Sequence, residues 1–139
     1  MSALSNIPRH AVLPLSAYDK NGLARAALQT DQVLFDCDCS QADDKVAVLE
    51  VLGRGLGLPD FYGRNLDALY DCLTDLKPSP DADKPGFVLL IENLPDPAHF
   101  SRDDRDALLD VFRDAADHFY DHDMAFRVFY SVRKPPEAA

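Results

Sequence analysis

Leu58–Leu76 reads LPDFYGRNLDALYDCLTDL. Placed on a helix, Leu66, Leu69, Leu73 and Leu76 are spaced three, four and three apart and form one apolar stripe. Asp67, Asp71 and Asp75 are each four apart and stack as a column of carboxylates on the opposite side. Like charges at that spacing weaken a helix by a few tenths of a kcal/mol per pair. Asp71 and Asp75 also lie toward the C-terminal end, where the helix dipole disfavours anions. Local stability does not select such a column, whereas recognition of a positively charged partner does. Asn65 is placed to cap this helix, with Asp67 in its favourable first turn.

Upstream, Ala42–Leu52 carries Val46, Leu49 and Leu52 at helical spacing, and Gly53, Gly55 and Gly57 follow as terminators. Those glycines lack the strand-to-helix setting of a dinucleotide loop. Gln32–Cys39 alternates, with Val33, Phe35, Cys37 and Cys39 on one side and Asp36 and Asp38 on the other, which predicts a strand. Ser16 to Thr30 favours a helix despite Gly22, and residues 1–14 read as loose because Pro8 and Pro14 interrupt them. Downstream, Lys77–Gly86 is a proline-rich loop, and Phe87–Ile91 (FVLLI) is a strand buried on both faces. Ser101 opens a helix whose apolar side carries Leu108, Leu109, Phe112, Ala115, Ala116 and Phe119. Met124–Val132 is a last strand, and the tail from 133 to 139 is expected to be flexible. Strands separated by helices predict an α/β fold with a parallel sheet.

The chain has 139 residues, of which 24 are acidic and 14 basic, for a formal charge of −10. That length suits one domain. The charge disfavours direct binding of nucleic acid, which depends on cations at phosphates, and attracts basic partners. A ribonuclease is one such partner, because its phosphate-binding cleft is lined with cations. No apolar run reaches the roughly 20 residues of a membrane span, and the first 20 residues lack the apolar core of a signal peptide. Three cysteines make no complete disulfide framework, so a cytoplasmic protein is expected.

The helix and the loop before it resemble the barstar family of intracellular ribonuclease inhibitors. The resemblance rests on Leu58-Pro59, Tyr62-Gly63, Asn65-Leu66-Asp67-Ala68-Leu69 and Asp71-Cys72-Leu73-Thr74, with Val111-Phe112-Arg113-Asp114 on the later helix. It implies a domain over 32–132, preceded by a partly helical extension over 1–31, with a three-stranded parallel sheet covered by helices. It also implies a partner surface of Phe61, Tyr62, Gly63, Asn65, Leu66, Asp67, Ala68, Tyr70, Asp71, Thr74 and Asp75, joined by Asp114. Asp71 matches the residue that the family places in the nuclease's phosphate site. The fringe differs from barstar's own. Phe61 stands for a tyrosine, Arg64 for a glutamate, Tyr70 for a tryptophan, Asp75 for a glycine, Leu76 for an aromatic and Asp114 for a glutamate.

The partner implied is a basic ribonuclease, barnase-like or a toxin nuclease against which the chain serves as an immunity protein. The chain is expected to be monomeric when free, with no cofactor, metal or membrane involved. Plainer readings stay open for single residues. Asp67 also serves the helix dipole, Asp71, Asp75 and Asp114 also read as solvated helix charges, Tyr62 and Tyr70 as half-buried aromatics, and Phe61 as a hydrophobic staple. Cys37, Cys39 and Cys72 read as packed small hydrophobes. Asp114, His118 and His122 share the four-residue spacing of helix metal ligands. Two other functions compete: an adaptor of the same fold for another basic protein, and a carboxylate- or metal-dependent hydrolase. The chain has no P-loop, nucleophile elbow or HExxH motif for the latter.

Overall fold

A computed structural model describes residues 4–59 and 65–133. Four strands, β1 (His10–Pro14), β2 (Val33–Asp38), β3 (Gly86–Leu94) and β4 (Ala125–Val132), form one sheet in the order β1-β4-β3-β2. All three pairings are parallel. Helices α1 (Lys20–Gln29), α2 (Lys45–Gly55), α3 (Leu66–Thr74) and α4 (Arg102–Asp121) connect them.

The sheet is therefore four-stranded rather than three-stranded. Its fourth member is β1, which lies within residues 1–14, where a loose segment was expected. His10 to Pro14 pair in register with Phe126 to Tyr130. The two prolines do not prevent this, because β1 is an edge strand and Pro14 is its last residue. A short 3-10 turn over Leu15–Ala17 follows, and Asp19 then caps α1 by accepting from the Gly22 amide at 3.2 Å.

Both faces of the sheet are covered, as the FVLLI run requires. Phe87, Leu89 and Ile91 point into a large core with α2, α3 and α4. Val88 and Leu90 point the other way, onto Leu23, Ala26 and Ala27 of α1 and onto Leu4 and Ile7. The β2 alternation holds: Cys37 and Cys39 are buried in the large core, while Asp36 and Asp38 face solvent.

Helix α2 differs from its expected form. It begins at Lys45, capped by Asp44, and Gly53 and Gly55 lie inside it. Gly57 alone serves as terminator, at φ +66°, with its amide bonded to Arg54 O and that of Leu58 to Gly53 O. This 5→2 and 6→1 pair is a Schellman motif. Val46 is exposed, and Val48 joins Leu49 and Leu52 in the core instead.

Gly86 begins β3 where strands meet closely. A Cβ there would strike Gln32 Oε1 and lie 2.7 Å from Ala125 Cβ and 2.8 Å from Ala125 O. Two of these neighbours belong to the backbone of β4 or lie directly on it, so relief requires the strands to separate. Gly86→Ala is expected to cost about 1–3 kcal/mol, the usual range for overpacking. Urea unfolding measures it, and an unchanged midpoint would contradict this packing.

Candidate functional site

Helix α3 takes the orientation its pattern predicts. Asn65 Oδ1 accepts from the Ala68 amide at 2.8 Å, closing the N-terminus. Leu69 and Leu73 are fully buried, and Leu66 and Leu76 pack partly buried against the same core. The opposite side carries Asp67 and Asp71, both exposed. Asp75 is exposed too, but it is the C-cap, one residue beyond the helix. Among the described residues none of these three carboxylates, nor Asp114, pairs with a cation. The ion pairs lie elsewhere, such as Arg113 with Asp110 at 2.7 Å and Lys20 with Asp36 and Glu92 at 3.0 and 2.8 Å.

The other expected contact residues divide. Leu66, Ala68 and Tyr70 are half-buried. Leu66 and Ala68 pack against the core, so each offers only part of its surface. Thr74 donates its hydroxyl back to Asp71 O at 3.0 Å. Phe61, Tyr62 and Gly63 lie outside the described residues, as does Arg64.

Helix α4 packs against α3 and carries an acidic row of its own. Tyr70 and Asp114 line one open groove of about 390 Å³ together with Asp117, His118 and Asp121. Asp117 and Asp121 were not expected at the site. Their signal was the spacing 114-117-121, which places three carboxylates on one face of α4.

His118 and His122 stack at 4.2 Å between ring centroids, and His122 Nδ1 bonds to His118 O at 2.8 Å. Among the described residues no group of three or more His, Cys, Asp or Glu side chains converges on a common metal position. No helix among them is long and apolar enough to cross a membrane.

Cys72 lies on α3 next to Asp71. Burial raises its thiol pKa, and the charges of Asp75 and Asp71 raise it further. Burial pushes Cys37 and Cys39 up to about 12 each. The thiolate is the reactive form. Alkylation of the folded protein at pH 8 is therefore expected to spare Cys37 and Cys39 and to label the half-exposed Cys72 slowly. Rapid loss of all three thiols, followed by mass spectrometry, would contradict this.

The geometry thus presents a negative surface on a helix anchored by leucines, with an aromatic ring and an acidic helix packed against it. Such a surface attracts cations. A family model described as Barstar (barnase inhibitor) matches residues 32–131. A Bacillus subtilis (strain 168) protein named "Putative ribonuclease inhibitor YrdF" is 36% identical over 66 residues. That match covers 48% of this chain and 66% of the relative, so the chain spans just under two thirds of its length. The chain belongs to the barstar family.

Proposed function

We propose that this protein inhibits a basic ribonuclease by seating α3, and the loop before it, in the enzyme's cationic cleft. A ribonuclease site holds Arg, Lys and His placed for a phosphate and its transition state. A carboxylate accepts the same charge-assisted hydrogen bonds. Asp71 is the phosphate substitute, and Asp67 and Asp75 extend the negative surface on either side. Asp114 adds a carboxylate from α4, and Tyr70 is the described aromatic anchor. Phe61, Tyr62 and Gly63 complete the contact from the loop. Inhibition is by occupancy and needs no chemistry.

The observation that carries this reading is the row Asp67, Asp71 and Asp75, exposed and without a cationic partner among the described residues. An unneutralised row has its full field available to a partner and speeds encounter with it. The same reading makes the protein a cytoplasmic immunity factor, guarding its cell against a barnase-like or toxin nuclease. The name of the Bacillus subtilis relative supports the ribonuclease class.

The test is a titration of RNA cleavage by a panel of small basic ribonucleases, barnase among them. Stoichiometric loss of activity with at least one is expected. Its association rate should fall as salt rises from 50 to 500 mM, because screening shortens the reach of the acidic field. Binding of a basic protein with no effect on any nuclease would instead favour the adaptor reading.

A further inference from the structure

The strand beginnings enclose a second cavity, of about 320 Å³, with a charge opposite to that of the chain. Arg9, Lys84 and Arg127 line it, with Leu4, Ile7 and Gln32. No carboxylate lines it among the described residues. Asp31 and Asp83 belong to a neighbouring cavity that shares only Thr30 and Lys84 with this one.

Arg127 is the central group. On β4 its neighbours Phe126 and Val128 turn into the large core, so its own side chain emerges on the α1 face. It is only 8% exposed. Its Nε donates to Pro8 O at 3.1 Å and its Nη2 to Ile7 O at 3.4 Å. Both acceptors are neutral carbonyls, so the charge stays uncompensated and part of the guanidinium's donor capacity stays unused. Burial and the nearby charge of Arg9 both press its pKa down. A buried cation without a counter-ion is costly and is ordinarily paired. Arg9 has only an exposed contact with Asp123 at 3.4 Å, and surface pairs of that kind contribute little. Lys84 is in no ion pair among the described residues.

Gln32 ties the start of β2 to the Lys84 backbone. Its Nε2 donates to Lys84 O at 2.7 Å, while its Oε1 is buried without a partner. The cavity therefore offers three cations and, among the described residues, no anion.

We propose that this cavity binds a small phosphate-bearing molecule. Three cations favour a multiply charged anion over a monocarboxylate. The oxygens of a phosphate match the guanidinium donors. The organic part of a phosphate ester packs on Leu4 and Ile7. The volume falls at the small end of ligand pockets, about 300–1,000 Å³.

The site is separate from the acidic helices. It lies across the sheet from α3 and α4, and its roof, Leu4 to Arg9, precedes the family match at 32–131. The proposal stands or falls independently of nuclease inhibition. A bound anion would tie the N-terminal segment to the sheet and stabilise the fold by mass action.

Calorimetric titration of the full chain tests it, with inorganic phosphate and glycerol phosphate at ionic strength fixed by chloride. One saturable site per chain is expected. In Arg9→Gln/Lys84→Gln, affinity should fall at least tenfold. Both side chains are exposed, and the change leaves the bonds from Arg127 to Pro8 and Ile7 in place. The single Lys84→Gln variant, expected to lose at least threefold, serves if the double variant folds poorly. Phosphate also stabilises proteins generally by exclusion, so only the difference between wild type and variant counts in melting curves. Tighter binding of inorganic phosphate identifies the free ion as ligand, and tighter binding of the ester identifies an organic phosphate. No saturable heat with either, or equal affinity in the variants, would overturn the proposal.

Discussion

Asp71→Ala is expected to weaken binding to the cognate nuclease by about 2–5 kcal/mol, the usual effect of breaking a buried charge pair across an interface. At 1.4 kcal/mol per factor of ten, that is between about 30-fold and about 4,000-fold in Kd. Much of the loss arises because the enzyme's cations are left buried without a counter-charge. The fold should be untouched, because the Asp71 side chain is exposed and has no partner among the described residues. The bond that Thr74 makes here goes to the Asp71 backbone carbonyl, which the substitution keeps. Asp71→Asn preserves size and removes charge, and it should weaken binding in the same direction. Asp114→Ala is expected to cost less, about 1 kcal/mol, as a rim charge on the neighbouring helix. Equilibrium titration with unchanged melting temperature measures all three. An Asp71→Ala protein that inhibits as well as wild type would refute the assigned role.

Phe119→Ala is expected to lower the free energy of unfolding by about 3–5 kcal/mol, the range for truncating a buried aromatic. Phe119 is 1% exposed and joins α4 to the sheet. Its ring stacks on Phe126 at 5.1 Å and tilts against Phe87 at 5.0 Å. Truncation removes both contacts and opens a cavity that two strands and a helix cannot close without shifting. Phe119→Leu refills most of that volume and should recover more than half of the loss. Urea unfolding followed by circular dichroism measures both. A loss under 1 kcal/mol for the alanine variant would show that α4 is not fixed to β3 and β4 through this cluster.

The parts legible from sequence were those with a strong local period. The leucine stripe of α3 set both its existence and its buried side, and Asn65 set its start. The apolar run Phe87–Ile91 of β3 implied a strand covered on both faces or near the middle of the sheet, and both hold, while Ser101 marked the start of α4. Edge strand β1 was not legible. HAVLP is five residues long and has no partner in its neighbourhood, and its pairing with β4 is set by residues more than one hundred positions away. The length of α2 was misjudged for a different reason. Gly53 and Gly55 have low helix propensity, but Gly55 packs so close to Cys37 that a side chain would collide with its sulfur. Tertiary contact there selects glycine inside a helix, against the local preference.

The candidate site divides the same way. The aspartates of α3 were evident because charge repeated at a fixed interval against the demands of helix stability. Asp117 and Asp121 were missed because a helix as acidic as α4 offers several possible faces, and only its packing on α3 shows which one adjoins Tyr70. The basic cavity was invisible for a stronger reason. Arg9, Gln32, Lys84 and Arg127 are scattered over most of the chain, and only the parallel register of four strand beginnings brings them together.

The central claim is that an acidic helix occupies the position of RNA phosphate in a nuclease cleft. Competition binding tests it most directly. The apparent Kd of the inhibitor for the nuclease, measured at several concentrations of a non-cleavable RNA analogue, should rise in proportion to the analogue. Inorganic phosphate bound in the enzyme's cleft should likewise be displaced as α3 enters. A Kd that the analogue leaves unchanged, or a ternary complex in which phosphate and inhibitor occupy the enzyme together, would contradict the account.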